Sequence, residues 1–199
     1  HIYHATSKTS DILKDSNLLN MIIINAMQKG LMTVAFVLIP IILTSDTFAW
    51  QKSDLYMAYL TAMLFGLVAM GPAAVFGEKH NKPKQIFLLS IILFIVSFLI
   101  MGLTASSTVF IVGVVLFFIA FNMMEPLVQS MITKFAKVHQ KGAALGISNS
   151  VAYFATFIGG SAAGLLLSVS SRESIGITIA VISVLWFFWT LKLQNPTKY

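Results

Sequence analysis

From Gln85 to Gly113 the chain contains no Asp, Glu, Lys or Arg, and this window constrains the fold more than any other feature. About 20 apolar residues at 1.5 Å rise per residue cross the ~30 Å hydrocarbon core of a bilayer. A soluble fold would have to hide such a run completely, and the composition gives it nothing to hide it with. Residues are 57% hydrophobic and 10% charged, where a soluble domain averages roughly 45–50% apolar and about 25% charged. The charges are too few to clothe a globule of this size, so the chain is read as an all-α membrane protein. No stretch alternates with strand periodicity, which excludes a β-barrel.

Hydropathy predicts six spans: Asn17–Leu43, Leu55–Phe76, Gln85–Thr104, Thr108–Thr133, Gly142–Val169 and Ser174–Leu193. Residues 1–16 read as a polar cytoplasmic lead-in or central linker, 17–193 as the six-helix domain and 194–199 as a cytoplasmic tail. Short connections make successive helices antiparallel neighbours. An even number of spans puts both ends on one side. That side carries Lys8, Lys14, Lys79, Lys82, Lys84, Lys134, Lys137, Lys141, Lys192 and Lys198, against Lys52 and Arg172 opposite. The excess of Lys and Arg on cytoplasmic loops places both termini in the cytoplasm. Aromatic anchors agree, with Trp50, Tyr56 and Tyr59 at the outer boundary and Trp186 and Trp189 near the inner one. The same asymmetry absorbs the net charge of +6. With no basic stripe interleaved with aromatics, nucleic-acid binding is not expected.

Chemistry sorts the spans into three classes. Spans three and six are uniformly apolar and are expected to face lipid over much of their circumference. Spans two and five are rich in small residues, and span five carries Gly142/Gly146 and Gly160/Gly164 as GxxxG pairs. Such residues let helix backbones approach closely, as an interface requires. Spans one and four hold the full charges that lie deep in apolar sequence, Lys29 and Glu125. The classes repeat as one/four, two/five and three/six, as two inverted three-helix repeats would produce.

Glu125 lies within FNMMEPLVQS, and Asn122, Glu125 and Gln129 fall at i, i+3 and i+7 on one helix face. Pro126 should kink the span beside the carboxylate. Intramembrane charge costs roughly 2.5–3.5 kcal/mol on insertion scales, so it normally faces a cavity or a partner. Two roles fit Glu125. One is a proton-titrating or substrate-contacting carboxylate; the other is a structural tie to a neighbouring helix. Lys29 is about 18 Å into span one at helical rise, too deep for its stem to reach either interface easily. With Asn25 and Gln28 it forms a polar stripe pointing to a central cavity. A Lys29–Glu125 pair is an expectation of this reading. Asn149, Ser150 and Tyr153 are weaker candidates for a secondary cavity or interface, because most polar residues in membrane helices only bond across helix contacts. Pro40 and Pro72 read first as kinks.

The loop GPAAVFGEKHNKPKQ resembles the second, degenerate copy of the major facilitator loop motif G-x-x-x-D-[RK]-x-G-[RK]-x-[RK]. Glu78 takes the acidic position and Lys79, Lys82 and Lys84 the basic ones, while Ala74 and Asn81 replace its glycines. LMTVAFVLIPIIL looks like the seventh helix of these carriers, and residues 117–160 are similar to helices ten and eleven of bacterial proton-coupled drug-efflux members, especially the YajR-like branch. The resemblance covers essentially the whole chain, as helices seven to twelve. It implies one six-helix half of a rocker-switch transporter, with substrate passing between two halves. Spans one and four would line the cavity, two and five meet the other half, and three and six brace the outside. It also implies a cytoplasmic latch at Glu78, Lys79, Lys82 and Lys84, although an ordinary positive loop would explain the three lysines alone.

The expected function is proton-coupled efflux of a small molecule by alternating access in the bacterial inner membrane. The alternative is a non-transporting scaffold or assembly protein with the same helices. The partners are the lipid bilayer, protons, a small-molecule substrate and an N-terminal six-helix half. The chain opens on His1 without a signal-peptide pattern and is expected to be a piece of a longer protein. No cofactor is expected. Cysteine is absent, and His1, His4, His80 and His139 lack metal-ligand spacing. Nothing matches a Walker loop, HExxH or nucleophile elbow, so an enzyme is not expected.

Overall fold

A computed structural model describes residues 9–196 of the chain. A short helix α1 (Thr9–Lys14) precedes six long ones: α2 (Ser16–Leu43), α3 (Leu55–Ala74), α4 (Pro83–Leu103), α5 (Ser107–Phe135), α6 (Lys141–Val169) and α7 (Arg172–Thr190). Each of the six is long and apolar enough to cross a membrane. They begin and end within a few residues of the hydropathy limits because local chemistry starts and stops them. The Asp15 carboxylate accepts from the N–H groups of Asn17 and Leu18 at the head of α2. Ser106 caps α5 and Ser171 caps α7 in the same way, satisfying donors that a helix leaves free in its first turn. Pro83 opens α4, where its missing N–H costs nothing. Beyond Pro72, α3 loosens into one π turn over Val75–Lys79, with the His80 N–H reaching back to the Val75 carbonyl.

Each of the first three spanning helices pairs with one of the last three. α2 packs along α6, α3 along α5, and α4 along α7. Mapping α2–α4 onto α5–α7 turns the first pair into the second and the third into itself, the arrangement of two inverted three-helix repeats. The repeat is imperfect. α4 also packs along α5, whereas α7 scarcely touches α2, and an apolar groove of about 330 Å³ opens between α2, α6 and α7.

Backbones approach most closely where glycines meet across helices. A Cβ on Gly176 would stand 2.8 Å from the Phe98 carbonyl oxygen and 2.9 Å from the Gly102 Cα, so α4 and α7 cross with nothing between them. A Cβ on Gly159 would stand 2.4 Å from the Gly30 carbonyl oxygen, which brings α6 equally close to α2. The GxxxG pairs behave differently. A Cβ on Gly142, Gly146 or Gly164 would meet no atom within 4 Å, and one on Gly160 would meet only Thr33, at 3.8 Å. Within the described residues these glycines make a smooth, uncovered face.

α4 departs in part from the expected lipid-facing helix. Phe87, Ile91, Phe94, Phe98 and Met101 are buried against α5 and α7, while Leu89, Ile92, Val96 and Leu103 stay exposed. Lipid tails are as apolar as a Leu side chain, so hydropathy cannot separate a lipid-facing residue from one packed on another helix. Exposure is instead greatest on α3 and α6, at Leu64, Val68, Tyr153, Phe157 and Leu165 among others. Trp186 also differs from an interfacial anchor: it is buried, 6.0 Å from the Phe94 ring. On the same end of the bundle, α1 inserts Ile12 fully into the core, so residues 9–14 are more than a polar lead-in. Leu193 is buried there too, and the chain is tied by Asn195 to the Lys84 N–H and Gln85. Lys8, Lys198, His1 and His4 lie outside the described residues.

Candidate functional site

Spans one and four meet at their charges. Lys29 and Gln28 leave the middle of α2, and Glu125 leaves α5 one residue before Pro126, which has no N–H to offer the carbonyl four residues back. Lys29 Nζ lies 2.9 Å from Glu125 Oε2, and Gln28 Nε2 donates to the same oxygen at 2.8 Å. Gln28 also donates to the Phe121 carbonyl at 3.2 Å and accepts from Lys29 at 3.3 Å. The fully buried carboxamide therefore holds both charges in register. The lysine sits 5.2 Å from the Phe121 ring centroid, within cation–π range. The Lys29 and Glu125 side chains remain 23% and 40% exposed. The pair is thus open along one side rather than sealed in the bundle, and Glu125 Oε1 accepts no hydrogen bond among the described residues.

A second polar knot lies next to it. Asn25, fully buried, donates to Ser148 Oγ at 2.9 Å and to Asn149 Oδ1 at 3.1 Å. Gln129 Nε2 donates to the same Asn149 oxygen at 3.0 Å, and Asn149 donates back to Gln129 Oε1 at 3.4 Å. One asparagine side chain on α6 therefore joins α2 and α5. The Asn25 carbonyl oxygen has no partner among the described residues.

Not every candidate joins these groups. Asn122 shares a helix face with Glu125 only loosely: its amide donates back to the Phe118 carbonyl at 2.7 Å and fills the space over Gly66 of α3. There it edges a pocket of about 250 Å³, walled by Met32 and Phe36 of α2, Met63 and Leu67 of α3, and Phe118 and Phe121 of α5. Phe121 belongs to both the pocket and the charged pair. Tyr153 is 76% exposed and makes no hydrogen bond among the described residues; Ser150 is exposed as well. Reading the sequence missed Ser148, whose small hydroxyl looks like any other in a Gly/Ala/Ser-rich helix, and Phe121, one apolar residue among many.

At the bundle end that carries the termini, Glu78 in the π turn forms an ion pair with Lys134 in the last turn of α5. Lys79 and Lys82 are exposed and pair with no carboxylate among the described residues, and Lys84 contributes its backbone N–H to Asn195. The acidic position of the loop thus grips a helix end through a lysine outside the loop. Arg172, at the opposite end, was also not anticipated. Its guanidinium donates to the Met101 carbonyl at 3.0 Å and to that of Thr104, closing the end of α4, and lies 5.3 Å from the Phe48 ring.

The chain matches the family model described as Major Facilitator Superfamily over residues 19–199. It is similar to the inner membrane transport protein YajR of Escherichia coli, 27% identical over 150 residues that cover 74% of this chain and 33% of that protein. It is also similar to the uncharacterized MFS-type transporter Rv1250 of Mycobacterium tuberculosis, 28% identical over 142 residues, 70% of this chain and 23% of that one. The chain therefore matches about a third and a quarter, respectively, of the length of these relatives. Six membrane-spanning helices, paired as an inverted repeat, and a family match over nearly their whole length make this chain a member of the Major Facilitator Superfamily.

Proposed function

We propose that the chain forms one half of a secondary active transporter that exports a small molecule in exchange for protons by alternating access. The observation that carries this reading is the Lys29–Glu125 pair, half-exposed at mid-depth between α2 and α5. Charge at that depth is costly, and a pair serving only to hold helices together offsets that cost best when every polar atom of it is hydrogen-bonded. This one leaves a carboxylate oxygen free. A carboxylate that can be protonated changes the charge of the cavity wall, and a wall of changed charge binds substrate differently in two conformations, which is what coupling requires.

The rest of the molecule supports the same reading. The uncovered faces of α3 and α6 offer a second six-helix unit two walls to close on. The relatives are far longer than this chain, so the second unit would be the N-terminal half of the same polypeptide. The lysine asymmetry supports cytoplasmic termini and an inner-membrane, multi-pass location. The Glu78–Lys134 pair would hold the cytoplasmic end of α5 to the α3–α4 loop in one of the two states. The proton gradient is the energy source.

The test is proton flux and substrate movement in proteoliposomes, comparing the full-length protein with Glu125→Gln. Transport in the parent that loses its dependence on the proton gradient in the variant is the expected result. Undiminished coupling in Glu125→Gln removes Glu125 from the mechanism. A folded full-length protein that moves nothing points to the scaffold reading.

A further inference from the structure

The groove between α2, α6 and α7 is filled by no part of the chain among the described residues. α6 and α7 follow one another across a short link yet scarcely touch, and α7 scarcely touches α2; its long contact is with α4. The close approach of α2 and α6 forms the floor, at Gly30 and Gly159. Met27, Leu31, Ile158, Leu166, Ile179 and Ile182 make the walls. Among the described residues that line the groove, Thr178 alone has a polar side chain, and its hydroxyl already donates to the Ser174 carbonyl at 2.7 Å. A buried water needs two to four polar partners, so the groove is dry. It runs along α2 from Ala26 to Val34 and along α6 from Ala155 to Leu166, about 12–16 Å at 1.5 Å per residue. That is roughly one leaflet of a ~30 Å hydrocarbon core. One end, at Leu166 and Ile175, lies in the last turn of α6 and the first of α7, at the bundle end opposite the termini. The other lies beside Lys29, at mid-depth.

A dry groove in hydrocarbon can be filled by another helix or by a lipid tail, and its size decides between them. A helix 10–12 Å across displaces about 400–600 Å³ per turn, so none can lie in a groove two to three turns long that holds about 330 Å³. A dry cavity of about 150 Å³ takes one benzene ring, so this one takes about a dozen carbons. Its direction decides where they come from. On α6, Ala155, Ala162 and Leu166 lie roughly 180° around from Tyr153, Phe157, Gly160 and Gly164, at 3.6 residues per turn. The second face is the uncovered one and, on the transport reading above, meets the other six-helix unit. The groove therefore opens to lipid. We propose that it binds one acyl chain of a phospholipid from the leaflet at the bundle end opposite the termini. The chain wedges between α7 and the α2–α6 pair, replacing the packing that α4 makes with α5 in the other repeat. Recognition is by shape and length: a chain much shorter than about a dozen carbons leaves the floor at Gly30 unfilled. The headgroup is not read, because no charged side chain lines the groove among the described residues.

The test counts, by native mass spectrometry, the phospholipid that the full-length protein retains after detergent extraction and washing. Phosphatidylethanolamine and phosphatidylglycerol offered in equal amounts should be retained equally, and dipalmitoyl lipid at least fivefold over dioctanoyl lipid. Ala162→Trp, which fills the groove from α6, should lower retention of the dipalmitoyl lipid at least fivefold and erase its advantage. Thr178→Phe fills the groove from its exposed lip and replaces the first variant if that fails to fold. Ile177→Trp, at an exposed position on another face of α7, should change nothing. Retention that favours phosphatidylglycerol and survives the filled variants would put the lipid on the lysine-rich end and overturn the proposal. So would equal loss in Ile177→Trp, retention of free palmitate in place of phospholipid, or no retained lipid at all. Flux in proteoliposomes tests the transport reading and retention tests the groove, so either can fail alone.

Discussion

Lys29 and Glu125 can be separated energetically by a double-mutant cycle, and the structure sets the scale. Glu125 Oε2 accepts from Lys29 Nζ at 2.9 Å and from Gln28 Nε2 at 2.8 Å, and both charged side chains are partly open to the cavity face. A fully exposed pair contributes about 0.2–1 kcal/mol, and breaking a buried one costs about 3–5 kcal/mol because an uncompensated charge is left behind. A partly open pair lies between these limits. Lys29→Met and Glu125→Gln should each destabilise the full-length protein by about 1–2 kcal/mol, given the remaining solvent screening. The double variant leaves no orphan charge, so it should fall short of the summed losses by about 1 kcal/mol. Unfolding by SDS titration in mixed micelles measures all four corners of the cycle. Additivity within about 0.3–0.5 kcal/mol, the spread expected of sites that do not interact, would refute the claim that the two groups stabilise each other.

Further expectations concern packing, capping and topology. Gly176→Ala places a Cβ against backbone atoms of Phe98 and Gly102, so α4 and α7 must separate at a cost of about 1–3 kcal/mol; Gly146→Ala, facing open space, should not lower thermal stability. Arg172→Met leaves the Met101 and Thr104 carbonyls without their donor and should cost about 1–3 kcal/mol, with Arg172→Lys restoring only part of it because an ammonium cannot fork between two carbonyls. Lys134→Ala removes the partner of Glu78 at an exposed position and should cost no more than about 1 kcal/mol, an effect that shrinks as salt is added; a transport defect far exceeding that loss would mark the contact as a conformational latch. Since this chain has no cysteine, single cysteines at Val138 and at Lys52 in an otherwise cysteine-free full-length protein report topology. Labelling of intact cells by an impermeant maleimide should reach position 52 and not 138, and the opposite pattern would reverse the orientation.

Much of this protein was legible without coordinates because the bilayer permits so few solutions. Backbone groups in hydrocarbon must bond within their own segment, so an apolar run such as Gln85–Leu103, with no strand periodicity, can only be a helix, and six apolar spans with short links can only be a bundle. The depth of Lys29 and Glu125 followed from counting residues at 1.5 Å each. Their pairing was an expectation that also required α2 and α5 to face one another, and a linear pattern does not specify that. What one-dimensional reading could not decide was which side of each helix meets another helix and which meets lipid, since both environments are equally apolar. Hence α4 was expected outermost and proves half-buried, and Trp186 was expected at the membrane surface and proves to lie in the core. The close contacts likewise fall at Gly102, Gly176, Gly30 and Gly159 rather than at the GxxxG pairs, because contact depends on where two axes cross. The same is true of the site. Periodicity put Asn122, Glu125 and Gln129 on one face, but only the tertiary structure sent them to three different partners, Gly66, Lys29 and Asn149, because α5 is surrounded by α3, α2 and α6 and each side chain bonds to whichever neighbour stands opposite it.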